Sequence, residues 1–254
     1  MFTPKGKFGW YELMTSDTKA AGKFYSDVVG WTTREMPGDG PAYTVFTLGE
    51  VGMAGMLNMA GHAAWVGYIS VDDVDAHIGK IVEAGGKLLR PATDIPGMLR
   101  FAVMSDPQGA AIVVFTPNPA MPSPQRPVPP ATGTISWHEL YTTDLEAGFD
   151  FYNKLFGWTK LSDMDMGPMG LYRIFDQGDH KEMGDGGMMN KGPQVPVSCW
   201  NFYFQVDSIK AAVKRVESGG GKVLNGPMQV PGGGWIIQGQ DPLGAMFSLV
   251  SSQE

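Results

Sequence analysis

At 254 residues the chain is long enough for two domains of ordinary size, each with its own core. Its formal net charge is −7, with no Lys/Arg cluster, so a phosphate backbone is disfavoured and no nucleic-acid partner is expected. A single cysteine excludes an intramolecular disulfide and suits a reducing compartment. With no apolar leader in Met1–Lys7 and no membrane-length apolar run, a cytoplasmic protein without membrane association is expected.

In chain order, Gly9–Thr15 reads as a strand and Thr18–Val29 as a helix. Asp17 offers its carboxylate to the free N–H groups of the first turn, and Gly30 provides the left-handed stop. Ala20, Ala21, Phe24 and Val28 recur at helical spacing, so one helix face packs on a sheet. Trp31–Met36, Ala42–Leu48 and Met53–Met59 are short segments separated by Gly and Pro, as in antiparallel strands. The same order then repeats: strand Val66–Val71, helix Val74–Ala84 with a Gly85–Gly86 stop, and strands near Leu88–Arg90, Leu99–Met104 and Ala111–Phe115. Asp-Pro-x-Gly at Asp106–Gly109 and Asp241–Gly244 predicts the final hairpin turn of each half. Pro117, Pro119, Pro122, Pro124, Pro127, Pro129 and Pro130 form an extended linker. The expected organisation is therefore a domain at 7–117, a linker at 118–132 and a domain at 133–251.

The chain repeats itself. A Trp stands seven residues before an Asp at Trp10/Asp17, Trp65/Asp72, Trp137/Asp144 and Trp200/Asp207. Trp10, Glu12, Leu13, Phe24, Tyr25, Gly30 and Trp31 recur 127 positions later as Trp137, Glu139, Leu140, Phe151, Tyr152, Gly157 and Trp158. Gly86, Lys87, Asp106, Pro107 and Gly109 recur 135 positions later as Gly221, Lys222, Asp241, Pro242 and Gly244. The growth of the offset places an inserted loop around Gln177 to Gly187. One supersecondary unit has been copied four times, so chemistry is sought where copies meet.

Phe-Tyr before Gly-Trp, the Gly-Gly-Lys helix stop and the Asp-Pro-x-Gly hairpin, each present twice in order, resemble the vicinal-oxygen-chelate superfamily. Its members include glyoxalase I, bleomycin-resistance proteins and extradiol dioxygenases. The resemblance implies an α+β fold of four βαβββ units, paired into two glyoxalase-like domains with curled, mainly antiparallel sheets. It also implies a cleft floored by first and last strands. Metal-dependent members place His or Gln on a unit's first strand and Glu on its last. Here those positions fall at Trp10, Trp137, Trp65 or Val66, and Trp200 or Asn201 on first strands. On last strands they fall at Ala54 or Gly55, near Gly187, at Val113 and at Ser248. These are poor donors for a divalent ion, and His62, His77, His138 and His180 are badly placed to replace them. No metal and no cofactor are expected.

Strand alternation puts Trp10, Glu12 and Met14 on one face, and Trp137, Glu139 and Tyr141 on the equivalent one. Aromatic walls with a carboxylate suit a small organic ligand. Glu12 and Glu139 are candidates either for a structural hydrogen bond or for a general base, because an unpaired buried carboxylate is costly. Met56 and Met188 follow the repeated Gly55 and Gly187, where glycine gives room for a ligand or backbone, and are expected to line the same wall. With Asn201, Val113, Ser248 and Tyr141 they complete the candidate ligand-binding set. Cys199 reads as inert. A small-molecule-binding protein is expected, with metal-independent lyase or isomerase chemistry as the alternative and a metal-dependent enzyme third. Either a monomer or a homodimer is compatible with the sequence.

Overall fold

The computed structural model describes residues 4–37, 42–61, 63–120, 126–178 and 182–254. The first half contains β1 (Phe8–Thr15), α1 (Thr18–Val29), β2 (Thr32–Met36), β3 (Tyr43–Leu48) and β4 (Val51–Asn58). Then come β5 (Ala64–Ser70), α2 (Val74–Glu83), β6 (Lys87–Ile95), β7 (Leu99–Ser105) and β8 (Ala111–Pro117). The second half repeats the order with β9 (Ile135–Thr142), α3 (Leu145–Phe156), β10 (Thr159–Asp165), β11 (Leu171–Asp176) and β12 (Gly186–Asn190). It continues with β13 (Cys199–Gln205), α4 (Ile209–Ser218), β14 (Lys222–Gln229), β15 (Trp235–Gln240) and β16 (Met246–Ser251). Two eight-stranded mixed sheets result, in the orders β2-β3-β4-β1-β5-β8-β7-β6 and β10-β11-β12-β9-β13-β16-β15-β14. First and last strands of each repeat pair in parallel, and the remaining neighbours within a repeat are antiparallel. No helix among the described residues is long and apolar enough to cross a membrane.

Local chemistry sets the element ends. Asp17 caps α1 by accepting from Ala20 N, and Gly30 ends it at φ 88°. In the second and fourth repeats the capping residues are Asp73 and Ser208, one position beyond Asp72 and Asp207. This shift resolves the register. Seven residues before each cap stand Trp10, Val66, Trp137 and Asn201, whereas Trp65 and Trp200 turn toward the helices. The strand expected near Leu88–Arg90 runs on to Ile95 through Pro91. It is the last strand of its sheet and is bulged on both sides of Arg90, so a missing N–H is tolerated there. Of the linker, Pro122 and Pro124 lie outside the described residues.

The chain divides into two compact units that recombine its halves. The α1 unit comprises Trp10–Trp65, Pro124–Trp137 and Asn201–Glu254; the α3 unit comprises Met1–Gly9, Val66–Ser123 and His138–Trp200. Repeats one and four thus share a core, as do repeats two and three. In the α1 unit, the Tyr25 hydroxyl donates to Asp241 Oδ2 at 3.1 Å and accepts from Trp65 Nε1 at 2.8 Å. In the α3 unit, Tyr152 donates to Asp106 Oδ2 at 3.1 Å and accepts from Trp200 Nε1 at 2.9 Å. The second Trp of each half obeys the same exchange: Trp31 Nε1 donates to the Gly133 carbonyl, and Trp158 Nε1 to that of Gly6. These indoles and phenols are buried, so their polar atoms need partners. Tyr25, Tyr152, Trp31 and Trp158 find one in the other half of the sequence, while Trp65 and Trp200 donate to the tyrosine of their own half. Apolar packing follows, with the Phe24 ring 5.6 Å from that of Phe247 and Trp31 5.1 Å from Phe204.

Candidate functional site

In the α1 unit, Trp10 and Glu12 share the face of β1 that points away from α1. Leu13, on the other face, is fully buried. Glu12 pairs in parallel register with Gly55 of β4. The Tyr43 hydroxyl donates to Glu12 Oε2 at 3.2 Å and accepts from Trp10 Nε1 at 3.0 Å. A Cβ at Gly55 would overlap that hydroxyl, so the missing side chain is what lets Tyr43 lie there. Burial, and then the Glu12 charge, hold the Tyr43 phenol well above its ordinary pKa, so it stays a donor. The Arg126 guanidinium stands 5.2 Å over the Trp10 ring.

The α3 unit repeats the motif around Glu139, which pairs with Gly187 of β12. Tyr141 donates to Glu139 Oε2 at 2.6 Å and Tyr172 to Oε1 at 3.0 Å. The Tyr172 ring occupies the place of a Gly187 side chain. Glu12 and Glu139 are only 7% and 5% exposed, and both accept phenol hydrogen bonds. Each repeated carboxylate is therefore a held acceptor. Burial, then the nearby Glu139 charge, push the Cys199 thiol up to about 11, which disfavours the thiolate at neutral pH. Glu139→Gln removes that charge. It is expected to speed Cys199 alkylation by iodoacetamide severalfold at neutral pH, measured by mass spectrometry; an unchanged rate would mean Glu139 does not act on the thiol.

Other expected residues are redistributed. Met56 and Met188 do not line the Glu12 and Glu139 faces. They pair with Leu13 and Leu140, are fully buried, and belong to the layer beneath the helices, because side chains alternate along a strand. Gly55 and Gly187 accommodate tyrosine rather than a ligand or backbone. Tyr43 and Tyr172 are the residues sequence reasoning missed, although a repeated strand glycine signals that a bulky neighbour lies across it. Val113 and Ser248 pair with Tyr68 and Tyr203, and Asn201 Nδ2 donates to Ser248 Oγ at 2.7 Å. Trp137 is half-buried on the Glu139 face of β9. His138 faces the opposite way, stacked 4.5 Å from Phe8. His77 is in α2, 6.0 Å from the Phe156 ring, while His62 and His180 lie outside the described residues. An open groove of about 540 Å³ near the start of α2, lined by Asp72, Asp75 and Arg100, contains none of these residues.

The sequence matches the family described as Glyoxalase/Bleomycin resistance protein/Dioxygenase superfamily over residues 7–114 and again over 134–249. The chain belongs to this superfamily. Among its relatives is the "Putative glyoxylase CFP32" of Mycobacterium bovis, 34% identical, with 97% of this chain and 95% of that protein covered. Another is the anthracycline biosynthesis protein DnrV of Streptomyces peucetius, 30% identical, with 100% of this chain and 95% of that protein covered. The fold resembles the Mn(II)-bound glyoxalase of Novosphingobium aromaticivorans, with a TM-score of 0.69, 16% identity and coverage of 98% of this chain and 83% of that one. It also resembles the 2,3-dioxygenase LapB of Pseudomonas sp. KL28, with a TM-score of 0.66, 14% identity and coverage of 100% and 94%.

The superfamily's metal-binding positions can now be read against the residues present. They hold Trp10, Gly55, Val66 and Val113 in the first domain, and Trp137, Gly187, Asn201 and Ser248 in the second. At both glycines a tyrosine fills the place where a ligating carboxylate would stand. Among the described residues no group of three His, Cys, Asp or Glu side chains is placed to hold an ion. This donor set does not fit the superfamily's divalent metal.

Proposed function

We propose that the protein binds a small, flat, hydroxylated organic molecule on the strand faces bearing Glu12 and Glu139, without using a divalent ion. The observation that carries this reading is the repeated carboxylate–phenol cluster, Glu12 with Tyr43 and Glu139 with Tyr141 and Tyr172, set over Gly55 and Gly187, one family metal position in each domain. A buried carboxylate fixed by phenols presents a charged acceptor to a ligand hydroxyl, and hydrogen bonds to charged groups are the stronger kind. Trp10 and Trp137 add aromatic surface for stacking. A relative named for anthracycline biosynthesis supports a polycyclic phenol as the ligand class. Both Glu139 oxygens already accept phenol bonds, which favours a recognition role for it over proton abstraction.

The test is a titration with 2,6-dihydroxyanthraquinone, followed by tryptophan fluorescence and calorimetry. Saturable binding is expected, weakened about tenfold by Glu12→Gln or Glu139→Gln, as for loss of a charged hydrogen bond. Failure of wild-type protein to bind up to the probe's solubility would end this reading. So would a full equivalent of Mn, Zn, Ni or Fe in protein purified without chelator.

A further inference from the structure

The two domains differ along one line of strand positions. In the fourth repeat, Asn225 pairs with Gln238, Gln238 with Ser248, and Ser248 with Tyr203. Asn201 lies two residues before Tyr203 on the same face of β13. Hydrogen bonds run along this line: Asn225 Nδ2 donates to Gln238 Oε1 at 3.1 Å, Gln238 Nε2 to the Tyr203 hydroxyl at 3.0 Å, and Asn201 Nδ2 to Ser248 Oγ at 2.7 Å. The second repeat has the same pairings, 135 positions earlier: Arg90 with Val103, Val103 with Val113, and Val113 with Tyr68. Gln238, Ser248 and Asn201 thus replace Val103, Val113 and Val66.

The fold therefore accepts valine at all three positions, and its own second repeat demonstrates this. Ser248 is fully buried and Asn201 is 5% exposed. Burying an amide costs free energy unless all its hydrogen-bonding capacity is met. Here it is not met: Asn201 Oδ1 is buried without a hydrogen-bond partner among the described residues. A polar stripe that the architecture does not require, ending in an unmet acceptor, is what a ligand donor group would complete.

We propose that the face of β13, β15 and β16 carries a subsite for a ligand hydroxyl or N–H group, with Asn201 Oδ1 as acceptor and Ser248 holding the amide in place. The fourth repeat then reads polar substituents, and the valine-lined second repeat does not. This rests on the binding reading above and adds to it the repeat that discriminates.

The experiment compares 2,6-dihydroxyanthraquinone with 2,6-dimethoxyanthraquinone, titrated against the full chain. Wild-type protein is expected to prefer the dihydroxy probe about tenfold. Asn201→Val/Ser248→Val, which installs the second repeat's residues, is expected to melt no lower than wild type and to narrow that preference severalfold, the Glu12 and Glu139 carboxylates retaining the remainder. Asn201→Val alone serves if the pair fails to fold. An unchanged preference in a folded variant would mean that Asn201 Oδ1 meets internal solvent only, and the subsite would be rejected with the binding reading intact. No saturable binding of either probe by wild type would remove both.

Discussion

Asp106→Ala is expected to destabilise the protein by about 4 kcal/mol and to lower its melting temperature by about 10 °C, measured by circular dichroism. Asp106 is fully buried. Its Oδ1 accepts from Ala110 N at 2.8 Å and Gln108 N at 3.0 Å, while its Oδ2 accepts the Tyr152 hydroxyl. Alanine would orphan two turn amides and a phenol, and each buried donor left unpaired costs about 1–3 kcal/mol. The carboxylate's own burial, which holds its pKa above the ordinary value, offsets part of that sum. Asp106→Asn keeps the acceptor oxygen and is expected to cost much less. Asp241→Ala should reproduce the loss, because Asp241 caps its own turn and accepts from Tyr25 in the same way. A cost below about 1 kcal/mol for both alanine variants would show that the exchanged tyrosine–aspartate bonds do not tie the repeats together.

Those aspartates also show how far the fold was legible. The Asp-Pro-x-Gly motif announces a turn on local grounds, since the side chain bonds the amides that follow it. Helix α1 was readable for the same reason: Asp17 and Gly30 act within one turn of its ends. Tyr25 and Tyr152 carried no local signal for their aspartate partners, because Asp241 and Asp106 sit in the opposite half of the chain. A 3.6-residue period tells which helix face is buried but not against which copy of the sheet. With four similar repeats, local patterning fits repeat one on repeat two as well as on repeat four. Only the shapes that meet in the core decide, and these are not written in any window of sequence.

The candidate site was legible along strands and obscure across them. Alternation placed Glu12 with Trp10 and Glu139 with Tyr141, and the hydrogen bond from Tyr141 to Glu139 is a contact between residues two apart. Met56 and Met188 went to the wrong face because their parity relative to Glu12 and Glu139 depends on interstrand register. That register pairs them with Leu13 and Leu140. The Trp spacing left a one-residue choice in repeats two and four, Trp65 or Val66 and Trp200 or Asn201, which the caps at Asp73 and Ser208 decide. A single-residue slip exchanges the faces of a strand, and so Val66 and Asn201, not Trp65 and Trp200, stand where the first strand faces away from the helix.

Gly187→Ala is expected to be the most damaging small change at the site. A methyl there would overlap the ring and hydroxyl of Tyr172. The ring would have to leave its position, taking one of the phenol donors from Glu139. Overpacking of this kind costs about 1–3 kcal/mol, and binding of 2,6-dihydroxyanthraquinone should weaken about tenfold or more as Glu139 loses its fixed geometry. Crowding must be separated from a general intolerance of alanine. Gly187→Ala/Tyr172→Ala removes the ring that the methyl strikes, so the double variant should be no less stable than Tyr172→Ala alone, a non-additivity of about 1–3 kcal/mol read by thermal melts. Gly79→Ala in α2, where an added Cβ meets nothing within 4 Å, should instead stabilise the protein by about 1 kcal/mol. Additive costs at Gly187 and Tyr172 would show that the glycine does not exist to seat the tyrosine. The equivalence of Gly55 with Gly187 would then lose its physical basis, and with it the case for one carboxylate–phenol device built twice.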